Sequence, residues 1–231
     1  MTAEAPSHVL PGYLTETYWW AYIHPDAIRL FERQWLVNLI LWGNFARLRD
    51  RAITALHLEK PGRTLQVACV YGDLTTKMVE RSAPGRTLDV IDVVPAQLAN
   101  LAKKLPAGCP INMISGDSSK MELESESYDR MLLFFLLHEM PEAVRRATLA
   151  HAFRVVKPGG RIVIVDYHKP VKRHPMFWPM VGILTVLEPF AMDLWRHAVD
   201  EWFPPRAPIA SIERSTMFGG LYQLLAIDIV R

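Results

Sequence analysis

The chain has 231 residues, half of them hydrophobic, with a mean hydropathy of +0.08, which is enough for one well-buried α/β domain with additions and is oily for a water-soluble protein. Its 26 basic and 24 acidic residues leave a formal charge of +2, with no broad electropositive footprint, so no nucleic-acid partner is expected. Cys69 and Cys109 lack metal-like spacing and make no disulfide framework, and the first residues lack the basic and apolar stretches of a signal peptide; a cytoplasmic location is the expectation. The longest uncharged apolar runs, Gln34 to Ala46 and Met176 to Leu187, fall short of the ~20 residues of a spanning helix, so they can lie on a bilayer but not cross it.

Along the chain, Ile28, Phe31, Trp35, Leu39, Trp42 and Phe45 recur three and four residues apart, which predicts a long helix, or two, from Pro25 to about Leu56. Pro61-Gly62 ends it, and Thr64 to Cys69 reads as a buried strand entering a turn at Tyr71-Gly72. A short helix leads through Ala83-Pro-Gly85 to a second strand, Thr87 to Asp92, after which Pro95 opens another helix. Further strands are expected at Ile111 to Ser115, Tyr128 to Phe135 and Arg161 to Tyr167, with a helix from Pro141 to Val156 and a turn at Lys157-Pro-Gly-Gly160.

Short apolar runs alternating with amphipathic helices imply βαβ units, hence an α/β fold with a doubly wound, mostly parallel sheet. Residues 169–205, rich in Pro, Trp and Met, read as a helical insertion after the fifth strand, and Ile212 to Phe218 and Leu221 to Val230 as two final strands. The expected organisation is an N-terminal helical segment over 1–60 that covers substrate, and a cofactor-binding domain over 61–231 that carries the insertion.

Ligands of such sheets sit beyond the carboxyl ends of the strands. Asp92 closes the second strand about twenty residues after the first turn, where a carboxylate can accept both ribose hydroxyls of a nucleotide; a helix N-cap is the alternative. Asp117 is placed to accept from an adenine amino group or to cap the turn of Ser118 and Ser119. The first turn, Ala68-Cys-Val-Tyr-Gly72, keeps one glycine; Cys69 reads as a small buried residue rather than a nucleophile, and Tyr71 as either pocket or packing. His138-Glu139 follows the fourth strand and Asp166-Tyr-His168 the fifth, so four ionisable side chains converge on one crevice, suited to Mn²⁺ or Mg²⁺ or to acid–base work, with loop and helix caps as the bland reading. Aromatics gather at Tyr18-Trp-Trp-Ala-Tyr22 and in the insertion. There Lys169, Lys172, Arg173 and His174 beside Met176-Phe-Trp178 make a basic-aromatic edge of the kind that rests on an anionic bilayer, or else a solvated loop.

From Thr64 onward the order resembles the class I S-adenosylmethionine (SAM)-dependent methyltransferases. Gln66 stands for the acid of the family's first motif, Ala68 and Val70 for its first two glycines and Gly72 for its third; Asp92 and Asp117 match the ribose- and adenine-contacting acids, and Phe134-Phe135 with His138 resembles the fourth motif. The resemblance implies a cofactor-binding set of Gln66, Ala68, Cys69, Gly72, Asp92, Val93, Asp117, Ser118 and Phe134. A closer likeness, carried by Glu16-Thr-Tyr-Trp-Trp20, residues 31–44 and 66–74, Phe134-Phe-Leu-Leu-His-Glu139, Val165-Asp-Tyr-His168, Leu187-Glu-Pro-Phe190 and Phe218-Gly-Gly-Leu-Tyr-Gln223, is to the RquA family of rhodoquinone biosynthesis. That resemblance implies replacement of a ring methoxy group of ubiquinone by an amino group to give rhodoquinone, with SAM as nitrogen source and a divalent metal, preferably Mn²⁺; the expected location is cytoplasmic and peripheral on the inner membrane. It casts His138, Glu139, Asp166, His168 and Tyr71 as catalytic, the first four also as metal ligands. Gln66 cannot charge-pair with the ammonium of SAM, and the expectation is that this leaves the amine freer to react. An ordinary quinone methyltransferase and a non-catalytic quinone-binding subunit are the alternatives.

Overall fold

The computed structural model describes residues 10–18, 25–82, 86–106 and 108–231. Five short apolar strands, β1 (Thr64–Val67), β2 (Leu88–Asp92), β3 (Ile111–Ser115), β4 (Tyr128–Phe134) and β5 (Val156–Tyr167), lie parallel, and β6 (Ile209–Met217) and β7 (Tyr222–Ile229) close one edge as an antiparallel hairpin. The strand order is β3-β2-β1-β4-β5-β7-β6. The interior strands are buried along their length, as a sheet with helices on both faces requires. The chain winds outward from β1 to β3, then crosses back to β4 on the other side of β1. This reversal opens a crevice at the carboxyl ends of β1 and β4, where Val67 pairs with both Ile91 and Leu133.

The N-terminal stretch forms α1 (Gly12–Glu16), α2 (Pro25–Phe31), α3 (Gln34–Ile40) and α4 (Phe45–Leu56). The long helix, or two, predicted from Pro25 to about Leu56 is thus three. Trp42 and Gly43 both have positive φ, a left-handed turn that a continuous helix cannot contain, and apolar periodicity carries no trace of it. α5 (Leu74–Arg81) and α6 (Pro95–Lys104) follow β1 and β2, with Pro95 at the first position of α6. The insertion is helical as expected, with α8 (Phe177–Leu187) and α9 (Asp193–Arg196) after α7 (Glu142–Val155). The turn predicted at Lys157 to Gly160 is absorbed into β5. Val156 pairs with Tyr128 and Arg161 with Arg130, so residues 157–160 bulge out of the ladder around Gly159 at φ +74°. Trp19, Trp20, Tyr22 and the Ala83-Pro-Gly85 turn lie outside the described residues.

Arg145 on α7 joins the insertion to the sheet. Its fully buried guanidinium donates from Nε to the Leu137 carbonyl at 2.9 Å and from Nη2 to the carbonyls of Met140 at 2.9 Å and Phe190 at 3.1 Å. It lies 4.1 Å over the Trp202 ring, and Nη1 is 3.5 Å from Asp193. One cation therefore satisfies the backbone of the turn after β4 and fixes the segment after α8. Removing it strands three buried carbonyls, so Arg145→Met is expected to lose about 3 kcal/mol in urea unfolding. Arg146→Met, which breaks an exposed pair with Glu142, is expected to change stability by less than about 0.5 kcal/mol.

Candidate active site

The crevice is a cavity of about 1270 Å³ counted out to its open mouth, walled by the tips of β1, β2 and β4, by α1, and by the ends of α3 and α8. Its polar groups divide into a nucleotide-sized half at β1 to β3 and an acid-rich half at β4 and β5.

In the first half Asp92 accepts from the backbone N–H of Cys69 at 2.6 Å and of Val94 at 2.8 Å, so one carboxylate ties the first turn to the start of α6. Burial pushes its pKa up to about 6, against the pull of those backbone donors. Asp117 caps the 3₁₀ turn 118–120 by accepting from the backbone N–H and hydroxyl of Ser119, both on Oδ1, and it lines the cavity as well. The capping reading of Asp117 is thus met, and its place on the cavity wall leaves Oδ2 able to accept from a ligand. Ser118 shares a hydrogen bond with Thr148 of α7 at 3.0 Å. Burial, with Asp92 adding to it, pushes the Cys69 thiol up, which suits a packed residue rather than a nucleophile.

The first turn holds its shape without the usual glycines. Ala68 has φ +69°, a left-handed conformation costing an L-residue roughly 1–2 kcal/mol, and its carbonyl accepts from Gln66 Nε2 at 2.9 Å. Gln66 Oε1 in turn accepts from the Thr75 hydroxyl at 2.9 Å. From outside, Glu32 accepts from the Gly72 N–H, Lys104 Nζ and Asn100 Nδ2, while Lys104 also donates to the Gly72 carbonyl. Side chains from α5, α6 and the end of α2 do the work that backbone freedom does elsewhere.

In the second half His138 stands in a 3₁₀ turn directly after β4. Its Nδ1 is 2.9 Å from Asp166, which also accepts from the backbone N–H groups of Leu137, His138 and Tyr167. Nε2 lies 3.7 Å from Glu139 and 3.9 Å from Glu188. Burial lowers the imidazole pKa, but Asp166 raises it more, and Glu188 and Glu139 add to the rise, leaving it at about 9. At neutral pH His138 is an imidazolium whose Nδ1–H faces Asp166 and whose Nε2–H serves the cavity. Burial pushes the Glu188 carboxyl up, and Tyr13 lies within the fields of Glu139, Asp117 and Asp92, so it spans the two halves.

The structure brings Ala68, Cys69, Tyr71, Asp92, Val93, Asp117, Ser118, Phe134, His138 and Glu139 onto one cavity. It leaves Gln66, Gly72, Asp166 and His168 off the lining. Gln66 is fully buried and bonded inside the turn, to the Ala68 carbonyl and the Thr75 hydroxyl. Gly72 is buried against the N-terminal helices, where a Cβ would meet the Phe45 ring at 3.0 Å and Gln34 at 3.1 Å. Asp166 stands behind His138. His168 has passed the end of β5, where its N–H donates to Leu221 and its Nδ1 bonds the Gly220 carbonyl at 2.8 Å, which turns it toward the β6–β7 hairpin. The four expected metal ligands are therefore not one set: Asp166 is saturated by four donors and His168 is elsewhere. Among the described residues no group of three His, Cys, Asp or Glu has metal-holding geometry. Tyr13 and Glu188 line the cavity without having been singled out, although Glu188 lies inside the quoted block Leu187-Glu-Pro-Phe190.

Four carboxylates, Asp92, Asp117, Glu139 and Glu188, with the rings of Tyr13, Phe134 and Phe135, suit a cationic nucleoside such as SAM. Ionised, Asp92 can accept strongly from both ribose hydroxyls; protonated, one of its oxygens becomes a donor and the acceptance weakens. S-Adenosylhomocysteine affinity, measured by calorimetry, is expected to be flat above pH 7 and about tenfold weaker at pH 5, one unit below the Asp92 pKa, and uniformly weak and flat in Asp92→Asn.

Residues 64–160 match the family model of the methyltransferase domain. A demethylmenaquinone methyltransferase of Thermus thermophilus is 31% identical over 139 residues, a match spanning 59% of this chain and 61% of that protein. The ubiquinone/menaquinone biosynthesis C-methyltransferase UbiE of Paracoccus denitrificans is 26% identical over 239 residues, covering 95% of this chain and 92% of its own length. Among solved structures, phosphoethanolamine N-methyltransferase 2 of Haemonchus contortus with bound S-adenosyl-L-methionine superposes with a TM-score of 0.69 at 13% identity, over 98% of this chain and 62% of that one, which speaks to architecture alone. With this strand order, this cavity and these matches, residues 64–160 are similar to the methyltransferase domain, and the chain has the Rossmann-like fold of the SAM-dependent methyltransferases.

Proposed function

We propose that the protein is a SAM-using transferase that modifies the ring of ubiquinone, exchanging a methoxy group for an amino group to give rhodoquinone. The observation that carries this reading is the buried His138–Asp166 pair, with Nδ1 2.9 Å from the carboxylate and Nε2 toward Glu139 and Glu188 on the cavity wall. A buried imidazole held at about 9 by Asp166 is an acid at neutral pH, and departure of methoxide requires an acid beside it. The apolar wall of Val37, Ile40, Leu41, Phe45, Phe135 and Tyr167 suits a quinone ring and the start of an isoprenoid tail. The blocks of likeness to the RquA family and the names of the quinone-modifying relatives support the same substrate class.

SAM, when bound, would supply the nitrogen: its α-amine would form the new ring bond as the ring–methoxy bond breaks and methanol leaves, and release of the aminoquinone would require the N–Cα bond of the methionine arm to break with loss of a Cβ proton, leaving that arm as an unsaturated acid. Asp92, Asp117 and the first turn hold its nucleoside, and Glu139 and Glu188 face its cationic end. His138 keeps a proton at Nε2 for the departing methoxide and regains one from the incoming amine. Asp166 is a positioning residue that fixes the tautomer and keeps the ring charged. The His138, Glu139, Asp166 and His168 set does not fit a divalent metal in this arrangement, and no step is assigned to one.

Conventional methylation of a quinone precursor is the second reading, favoured by the names of both sequence relatives. It needs a base to remove a proton, which His138 supplies only once deprotonated. Product mass separates the two: amination lowers the mass of the quinone, whereas methylation raises it by one CH₂ unit. Purified protein with ubiquinone and SAM is expected to give the lighter product, at a rate that is level near neutrality and falls above about pH 9. A base mechanism would climb toward that pH instead. His138→Asn is expected to lose about 100-fold or more in rate, and Asp166→Asn to move the alkaline limb down toward neutrality.

A further inference from the structure

Two helices at the cavity's rim carry apolar faces that nothing else in the described structure covers. α8 packs Phe177, Met180 and Leu184 into the core, yet its eleven residues include no charged side chain, and its outward residues Trp178 and Val186 are 74% and 77% exposed, with Ile183 and Leu187 beside them. On α3 the outward residues are Trp35 at 60% and Leu39 at 59%, with Ile40 partly exposed. The Trp42 indole N–H donates to Met180 Sδ at 3.3 Å, which ties the turn after α3 to α8. A monomer rarely leaves so large an apolar area to water.

Charge around the surface is mainly basic. Lys169, Lys172 and Arg173 precede α8 and Arg33 precedes α3, all exposed. The two acidic residues in 28–44 and 169–188 are turned away: Glu32 bonds Lys104 and Asn100, and Glu188 lines the cavity. Asp73, which shares a surface pocket with Trp35, is neutralised by Arg49 at 2.6 Å. Exposed tryptophans within a basic rim match the headgroup layer of an anionic bilayer, where indoles settle and each Lys or Arg adds attraction. No helix among the described residues is long and apolar enough to cross a membrane. The cavity meets this surface at its edge, because Ile40 is both exposed and lining, Leu41 follows it on the wall, and Glu188 directly follows α8.

We propose that α3 and α8 form a lipid-docking face that seats the protein on anionic phospholipid bilayers, with the cavity mouth at the membrane surface. The inference stands on this surface and not on which group the enzyme transfers. An apolar substrate reaches the ring-binding wall from the acyl layer without crossing water.

Sedimentation with vesicles of phosphatidylcholine alone, and of phosphatidylcholine and phosphatidylglycerol in equal parts, tests it. Wild type is expected to pellet with the mixed vesicles, more weakly as salt rises, and with a blue shift of tryptophan emission. W178S/V186S and W35S/L39S are each expected to lose binding by about tenfold or more, and K172E/R173E to lose it on anionic vesicles, while S-adenosylhomocysteine binding stays unchanged in all three as proof of folding. Wild type remaining in the supernatant with both vesicles would overturn the proposal. So would vesicle binding indifferent to the helix variants, or a wild-type dimer in sedimentation velocity that W178S/V186S converts to monomer without any lipid binding.

Discussion

A carboxylate removed from water is tolerable only if its charge and lone pairs are answered on the spot, and Asp166 meets that condition at the end of β5. Three backbone N–H groups and the His138 ring converge on it. Two of the N–H groups come from the turn after β4, so the ion fixes where the chain goes once that strand ends. The same charge raises the His138 pKa against the burial that would lower it. Structure and chemistry share one requirement here: without the anion the turn loses its anchor and the imidazole its proton. Arg145 holds the far side of that turn through the Leu137 and Met140 carbonyls, so the site is gripped by an anion on its N–H groups and a cation on its carbonyls.

The first turn solves a different problem. Glycines in that position let a chain take left-handed angles and come close to a nucleoside. Here Ala68 takes the left-handed angle at a cost, and the hydrogen bonds of Gln66, Thr75, Glu32 and Lys104 offset it. Glu32 ends the second helix, so the N-terminal segment is bonded directly to the turn that faces the nucleoside. The position that carries an acid in ordinary relatives has become part of the turn's internal bracing, and its replacement by Gln is intelligible without any role toward the cofactor amine.

The sheet was legible in the sequence because each buried strand is a short apolar run closed by turn residues, and strand ends then place Asp92, Asp117 and His138 without further information. Side-chain direction beyond a strand end is not encoded in that way. Asp166 and His168 are two apart and would share a side on a continuing strand, but β5 stops at Tyr167, and bonds to Leu221 and Gly220 turn His168 to the hairpin. The break of the N-terminal helix at Trp42-Gly43 was hidden because apolar spacing continues across it. Tyr13 and Glu188 come to the cavity through long-range packing of α1 and the insertion, for which no local pattern exists.

The acid-rich half of the cavity bears on how one superfamily supports different transfers. Moving a methyl group from a sulfonium needs little beyond approach and a base for the proton displaced. Exchanging methoxide for an amine needs a proton delivered to a poor leaving group and a second one accepted from nitrogen. A neutral histidine serves the first task; a histidinium flanked by two carboxylates serves the second, since it can give a proton and then be recharged beside them. The balance rests on how strongly Asp166, Glu139 and Glu188 hold His138 charged, and all three reach it from segments that follow the nucleoside-binding strands. On the proposed reading, transfer chemistry is tuned at β4, β5 and α8, apart from the half that would hold the nucleoside.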